Sequence, residues 1–354
     1  MEQRCSRDDK DADESCARQG VPGAEKTLTG AGRSSLRVAL TGRQGSVLRS
    51  SVWQLLNTLV PYVLLWGLMI LTLRISYVLT LALAMIASGF LVRIFIILHD
   101  CAHGSFLKSQ RVNSVVGFVM GVLCFTPFAR WRHDHVLHHA TAGDLDRRGT
   151  GDIWTMTVQE YESAPRLRRL GYRVFRSPLV LFVLGPVYVF LIEYRVPSSN
   201  DSARERKAVH QTNVALLAVA VVMTQLIGLK GYLLIQVPIL MFSSMAGMWL
   251  FYVQHQFEDA YWERGDDWSF ELAALRGSSY YRLPAWLQWF SGNIGFHHIH
   301  HLSPAIPNYR LAACHADLAV FEDVPTLTLR SSLKSASLKL WDEANKRLVP
   351  FPRG

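Results

Sequence analysis

Residues Tyr77–His103 read YVLTLALAMIASGFLVRIFIILHDCAH. The stretch 77–98 is apolar almost throughout, and Arg93 is its single charge. A helix needs about 20 such residues to cross the hydrocarbon core of a bilayer. The run then passes without a break into His99-Asp100-Cys101-Ala102-His103. A spacing of four puts both imidazoles on one helix face. Neutral imidazole is a common metal ligand, so this crossing delivers two candidate ligands to the membrane surface.

Three further apolar runs cover residues 52–73, 214–229 and 232–253 of the 354. Four runs in two closely spaced pairs favour membrane spans over a soluble helical bundle. Only Arg74-Ile75-Ser76 separates the first pair and only Lys230-Gly231 the second, so each pair is expected as a hairpin. Two shorter stretches, 115–128 and 179–190, contain Pro127 and Pro186 and suit re-entrant or interfacial segments. Thirteen Lys or Arg residues lie from Arg130 to Lys207, whereas the two hairpin turns carry Arg74 and Lys230. The positive-inside bias then puts the side opposite the turns in the cytoplasm.

Ten of the thirteen histidines fall in three short clusters: His99 and His103; His133, His135, His138 and His139; His297, His298, His300 and His301. His135, His138 and His139 form an HxxHH pattern, and so do His297, His300 and His301. Within each, the first and last histidines sit one helical turn apart. A second register, through His298 and His301, is also open. Eight nitrogen ligands exceed the four that close a structural zinc and fit two ions with open positions. If all serve one site, the clusters must lie on one side of the membrane, which two hairpins with two non-crossing segments allow. His255, in Tyr252-Val253-Gln254-His255-Gln256, ends the last run at the depth of His99 and is a ninth candidate. His133 is surplus to the register, and His210 and His315 stand alone.

Carboxylates often orient metal-bound imidazoles. Asp100, Asp134, Asp144 and Asp146 are near enough in sequence to be candidates, as are Asn293, one turn before His297, and His298. Affinity order does not choose the metal. Neutral imidazoles at the membrane surface above apolar helices suit oxygen activation against a lipid chain, and breaking an unactivated C–H bond selects non-haem iron with open positions, because zinc has no redox chemistry.

The net charge is +9, but the aromatic residues lie in and beside the apolar runs and no nucleic-acid-binding signature accompanies the arginines, so no nucleic acid is expected. Five cysteines without a CxxC pair argue against a disulfide framework or an iron–sulfur cluster. Residues 1–45 are polar, lack the apolar core of a signal peptide and are expected to be a mostly disordered tail. From about Pro304 the chain is soluble in character, and 329–348 reads as an amphipathic helix with Leu333, Leu340 and Trp341 as apolar contacts.

HDCAH, HDHVLHH and HHIHH, with apolar hairpins between them, resemble the three histidine boxes of the membrane fatty acid desaturases. The longer strings GDLDRRGTGDIWTMTVQEY and GSSYYRLPAWLQWFSGNIGFHHIHHLSPAIPNYRL are similar to the bacterial acyl-lipid branch, omega-6 or Δ12. The resemblance implies a di-iron centre, O2 as co-substrate and two electrons per double bond. On it, His99, His103, His135, His138, His139, His297, His300 and His301 carry over as ligands, with His255 as the histidine at the end of the last membrane helix. It also implies a fatty acyl lipid substrate.

The expected fold is an all-α membrane protein: two transmembrane helical hairpins, four crossings, and a cytoplasmic helical cap holding a histidine-rich di-iron site. The expected division is a tail (1–45), a membrane desaturase domain (46–310) and a C-terminal cytoplasmic helical segment (311–354). The expected location is the inner membrane of a bacterium. No ferredoxin cysteine motif or HPGG-type haem segment is visible, so a separate ferredoxin or cytochrome b5 donor is expected. The arginines of 166–176 would attract either an acidic donor or anionic headgroups. The rival readings are a di-iron hydroxylase, a carotenoid ketolase and, more remotely, a metal transporter. A transporter would need polar ligands inside the spans, and there only Arg93 is charged.

Overall fold

The computed structural model describes residues 30–352. By internal contacts the chain divides into two units, Met1–Gly42 and Arg43–Gly354. In the first, Gly30–Thr41 forms helix α1. The disorder expected over 1–45 therefore does not hold for the helix, 42–45 follow it as a turn, and 1–29 lie outside the described residues.

The second unit is mostly helical. Helix α2 (Leu48–Thr72) and helix α3 (Tyr77–His103) are each long and apolar enough to cross a membrane. They form the first hairpin. Ser51 Oγ donates to the Phe106 carbonyl at 2.6 Å at one end, and Thr72 and Thr80 hydroxyls pair at 2.9 Å at the other. The Ser76 hydroxyl starts α3 by accepting from Leu79 N–H. Gly104, left-handed at φ 70°, stops it one residue after His103. The two histidines thus occupy its last turns.

Helix α4 (Gln110–Leu123) and helix α5 (Phe128–Thr141) meet at a bend of 102°. Gly121 makes the corner possible, because a Cβ there would stand 2.5 Å from the Thr126 carbonyl. Helix α6 (Val158–Ser163) and helix α7 (Arg166–Phe175) follow, and α7 turns by 60° into the apolar stretch that contains helix α8 (Gly185–Leu191). The first bend falls within the short apolar stretch 115–128, and the second lies just before the stretch 179–190.

Helix α9 (Ala203–His255) has 53 residues and one non-helical position, Gly228, at φ 75° and ψ 153°. It folds back there. Its first turn pairs Glu205 with His133 at 3.5 Å, and its last residue, His255, meets His138 at 3.1 Å, both partners being on α5. A straight 53-residue helix would hold its ends about 80 Å apart. The turn was expected at Lys230-Gly231. Gly228 takes it because its backbone adopts the positive φ, and Gly231 is inside the second arm, where an added Cβ would lie 3.7 Å from Leu73. The first arm shows Val214, Leu217 and Leu226 outward at 66% exposure or more, as a lipid-facing surface would.

The remaining elements are short: helix α10 (Phe270–Arg276), helix α11 (Ala285–Phe290), helix α12 (His297–Leu302) and helix α13 (Asn308–Asp317). Two small sheets join them. Tyr280–Arg282 pairs in parallel with Thr326–Thr328, and Met156–Thr157 in parallel with Leu340–Asp342, which pairs antiparallel with Arg347–Val349.

The helix expected over 329–348 is therefore absent. Only Leu329–Ser332 forms an α-helical turn. Asp342 accepts from the Ala344 and Asn345 amides and closes a hairpin turn, with Lys346 at φ 49°. Leu340 and Trp341 are buried as expected, but Leu333 is 66% exposed. The segment is held by Arg176, a fully buried guanidinium with no carboxylate partner among the described residues. It donates to the carbonyls of Trp154 and Leu338, the Tyr252 hydroxyl and Gln256 Oε1.

Candidate metal centre

Four helices bring the histidines together. His99 and His103 come from the end of α3, His135, His138 and His139 from α5, His255 from the end of α9, and His297, His300 and His301 from α12. Their ring nitrogens fall into two adjacent groups. One contains His99, His103, His135, His139 and His300; the other contains His138, His255, His297 and His301. Within each group the donor atoms lie within 4.8 Å of one another. The groups touch where His139 and His301 stack, centroids 4.1 Å apart.

The nitrogens face one another closely. Nε2–Nε2 separations are 3.1 Å for His138–His255, 2.9 Å for His255–His297, 3.1 Å for His297–His301 and 2.9 Å for His139–His300. Outer hydrogen bonds decide the tautomers. His138 Nδ1 donates to Asp152 at 2.6 Å, and His255 Nδ1 donates to the Gly277 carbonyl at 3.2 Å. With both Nδ1 protons directed outward, the facing Nε2 atoms of this pair present two lone pairs. Lone pairs at 3.1 Å repel unless a cation sits between them. Two ligands at right angles, each about 2.1 Å from one ion, would stand about 3 Å apart. His99 Nε2 and His103 Nε2 are buried without a hydrogen-bond partner among the described residues, as ligand atoms would be. The donor set therefore fits metal ions.

Burial, reinforced by neighbouring imidazoles, holds His297, His300 and His301 well below the ordinary histidine pKa. They are neutral at physiological pH, the state a metal requires. Trp131 stacks on His135, centroids 4.5 Å apart, and covers that side of the group.

The other candidates lie as follows. The Asp100 carboxylate reaches His99 Nδ1 at 3.5 Å and accepts from both the backbone and side-chain amides of Asn308 at 2.8 Å. Asp134 lines the cavity beside His135, with no side-chain hydrogen bond to a site histidine among the described residues. Asn293 donates to the Asn308 carbonyl and shapes the turn before α12 at φ 60°. His298 turns away, its Nε2 at 3.2 Å from His315 Nδ1. His133 is on the surface beside Glu205. Asp144 binds Arg147, and Asp146 binds Arg264. The side chains that sequence reasoning missed are Asp152 and Asn308. Asp152 sits in a loop 14 residues beyond His138, where no helical spacing points to it.

A cavity of about 430 Å³ opens beside the histidines. His99, His135 and His297 line it, and its walls are otherwise mainly apolar, among them Phe95, Phe251 and Leu250. Along α9 it reaches from Gln254 to Leu240, a span of about 21 Å at 1.5 Å per residue. Leu91 and Cys124 lie at the same deep end as Leu240. A slender apolar chain fits such a space.

The family model for fatty acid desaturases matches residues 73–327. A fatty acid desaturase of Bacillus subtilis (strain 168) is 50% identical over 303 residues, which cover 86% of each chain. The sn-1 oleoyl-lipid 12-desaturase of Synechocystis is 30% identical over 232 residues, 63% of this chain and 64% of that one. An sn-1 acyl-lipid omega-3 desaturase (ferredoxin) of the same organism is 29% identical over 233 residues, 62% and 61% of the two chains. With histidine clusters ordered along apolar helices and gathered beside an apolar cavity, this chain belongs to the fatty acid desaturase family.

Proposed function

We propose that the two histidine groups hold two iron ions and that the protein introduces a cis double bond into an acyl chain of a membrane lipid. One observation carries this reading: two adjacent sets of buried, inward-facing imidazole nitrogens open onto one apolar cavity. When bound, the irons supply, with O2 and two electrons from a donor, the oxidising power that removes two hydrogens from neighbouring methylenes and leaves water.

The chain's own residues do the rest. Phe95, Phe251 and Leu250 hold the acyl chain and keep water from it. Asp152 and the Gly277 carbonyl fix the orientation of His138 and His255. Gly247, Ser243 and Ser244 keep the α9 wall narrow enough in side-chain bulk for the chain to pass. The methylene pair beside His99, His135 and His297 is selected by how far the chain can enter, so proximity sets position. Omega-6/Δ12 is the working position, supported by the likeness to the oleoyl-lipid 12-desaturase.

The excess of Lys and Arg over residues 130–207 supports a cytoplasmic histidine face in a bacterial inner membrane. Electrons come from a separate protein, ferredoxin or cytochrome b5 in type, and the omega-3 relative's name supports ferredoxin.

The test is fatty-acid analysis of a host expressing the chain beside a His138→Ala control. A new double bond that the control lacks is the expected result. An unchanged profile with iron loaded and a competent donor defeats the proposal, and so do hydroxylated or ketone products without a new double bond.

A further inference from the structure

Helix α7 carries RLRRLGYRVF. Leu167, Leu170 and Val174 fall on one side at helical spacing and are 81%, 58% and 52% exposed. Tyr172 faces the opposite way and is fully buried. Arg166, Arg169 and Arg173 flank the apolar stripe. The exposed stripe continues past the helix into Leu179, Leu184 and Tyr188. A short helix with one bare leucine face and an arginine edge lies in the boundary between headgroups and acyl chains.

Arg168 alone of the α7 arginines lines a pocket of about 580 Å³ beside the helix. That volume is within the range of about 300–1,000 Å³ typical of small-ligand sites. Arg148 lines it too, but is paired with Glu160. Arg168 is exposed and makes no ion pair or side-chain hydrogen bond among the described residues. Gly149 and Asp152 border both this pocket and the apolar cavity that reaches the histidines. Both glycines of the intervening Gly149-Thr150-Gly151 adopt positive φ, 129° and 73°.

We propose that this pocket receives the phosphate-bearing headgroup of the substrate lipid, with Arg168 as the cation that meets the phosphate. This rests on the desaturase reading of the cavity and deepens it. The pocket that holds Arg168 and the apolar cavity that runs on to the histidines share Gly149 and Asp152 as lining, and in this assignment one glycerophospholipid fills both. The headgroup then acts as a stop. It halts entry of the acyl chain at a fixed depth, with the carboxyl end outermost and the methyl end toward Leu91 and Leu240.

Purified full-length protein in detergent tests this by native mass spectrometry. Retention of phosphatidylglycerol, of diacylglycerol with the same acyl chains and of acyl-CoA is compared for the unmodified protein, Arg168→Gln, Arg168→Lys and Arg169→Gln. The expected result is a loss of about tenfold in phosphatidylglycerol retention for Arg168→Gln, recovered in part by Arg168→Lys. Diacylglycerol retention stays unchanged, and Arg169→Gln behaves as the unmodified protein. Equal phosphatidylglycerol retention in Arg168→Gln overturns the assignment. A loss confined to acyl-CoA also overturns it, giving the pocket to a thioester carrier's phosphate. If instead Arg168→Gln binds lipid normally but loses turnover at limiting donor protein, the arginine belongs to a donor interface and the headgroup site falls. The desaturase reading stands or falls separately, on whether the unmodified protein makes double bonds in the expressing host.

Discussion

Replacing Asp152 with asparagine tests the two-group geometry directly. The Asp152 carboxylate accepts from His138 Nδ1 at 2.6 Å, and the two side chains are 8% and 1% exposed. Little solvent screens the pair. A hydrogen bond to a charged group contributes about 1.5–3 kcal/mol. Asparagine keeps the shape and an acceptor oxygen but loses the charge, so most of that contribution to fixing His138 is lost. At about 1.4 kcal/mol per factor of ten, iron affinity at the affected group falls by roughly 10–100-fold, the range found for outer partners of metal ligands. The loss is local. His138 belongs with His255, His297 and His301, whereas His99, His103, His135, His139 and His300 form the other group. Iron-stripped protein reloaded with Fe(II) against a competing chelator should therefore keep one tight ion and bind the second weakly. Mössbauer spectra of the reloaded variant should show one iron environment depleted. If the folded variant holds both ions as tightly as the parent, or loses both equally, the assignment of Asp152 to one of two separate groups is refuted.

His133→Ala should leave the fatty-acid profile within about twofold of the parent, because its ring faces Glu205 at the surface; loss of product equal to that of His138→Ala would place it in the site. Leu240→Trp fills the deep end of the cavity and should push the chain outward, so the double bond moves toward the methyl end or the preferred chain shortens. Mass spectrometry of derivatised products reads this, and an unchanged position and chain length would show that the cavity floor does not set it. Burial beside Arg176 lowers the Lys339 pKa to about 8. Between about 8 and 10.5 the unfolded chain holds the proton that the folded one has released, so stability rises with pH across that window. The gain is at most about 3 kcal/mol. Lys339→Met lacks it, so the parent's melting temperature should climb relative to the variant's from pH 7.5 to 9.5; a flat or falling difference contradicts the burial. Trp341→Ala empties a fully buried site and should cost about 3–5 kcal/mol, lowering the detergent melting temperature without moving iron stoichiometry in protein kept cold.

The parts of this site that could be read along the chain are those governed by helical periodicity. His99 and His103, or His135 and His139, converge because a turn of helix brings i and i+4 together, and that is written in the spacing. His255 was legible from its depth at the end of an apolar run. Asp152 and Asn308 were not. Asn308 reaches Asp100 across 208 residues, and only the packing of α13 against the end of α3 makes that contact. The strands in 338–349 escaped for a different reason. Leu333, Leu340 and Trp341 fit a helical stripe, but Leu340 and Trp341 pair with the strand at Met156–Thr157 ahead of the turn that Asp342 closes, and Leu333 is exposed. Gly228 and Gly231 are both glycines near the end of an apolar run, and nothing local distinguishes which one turns the chain.

Arg176 has a consequence for the order of assembly. Its guanidinium draws together Trp154, Gln256 next to His255, and Leu338. A ribosome releases those segments in that sequence, so the spans can insert and the histidines can emerge while one acceptor of this cation has yet to be made. A chain cut short before Leu338 would leave a charge underground with its shell incomplete, and the strain would fall on the turn that carries His255. The shell around this cation is therefore finished only by the last part of the polypeptide.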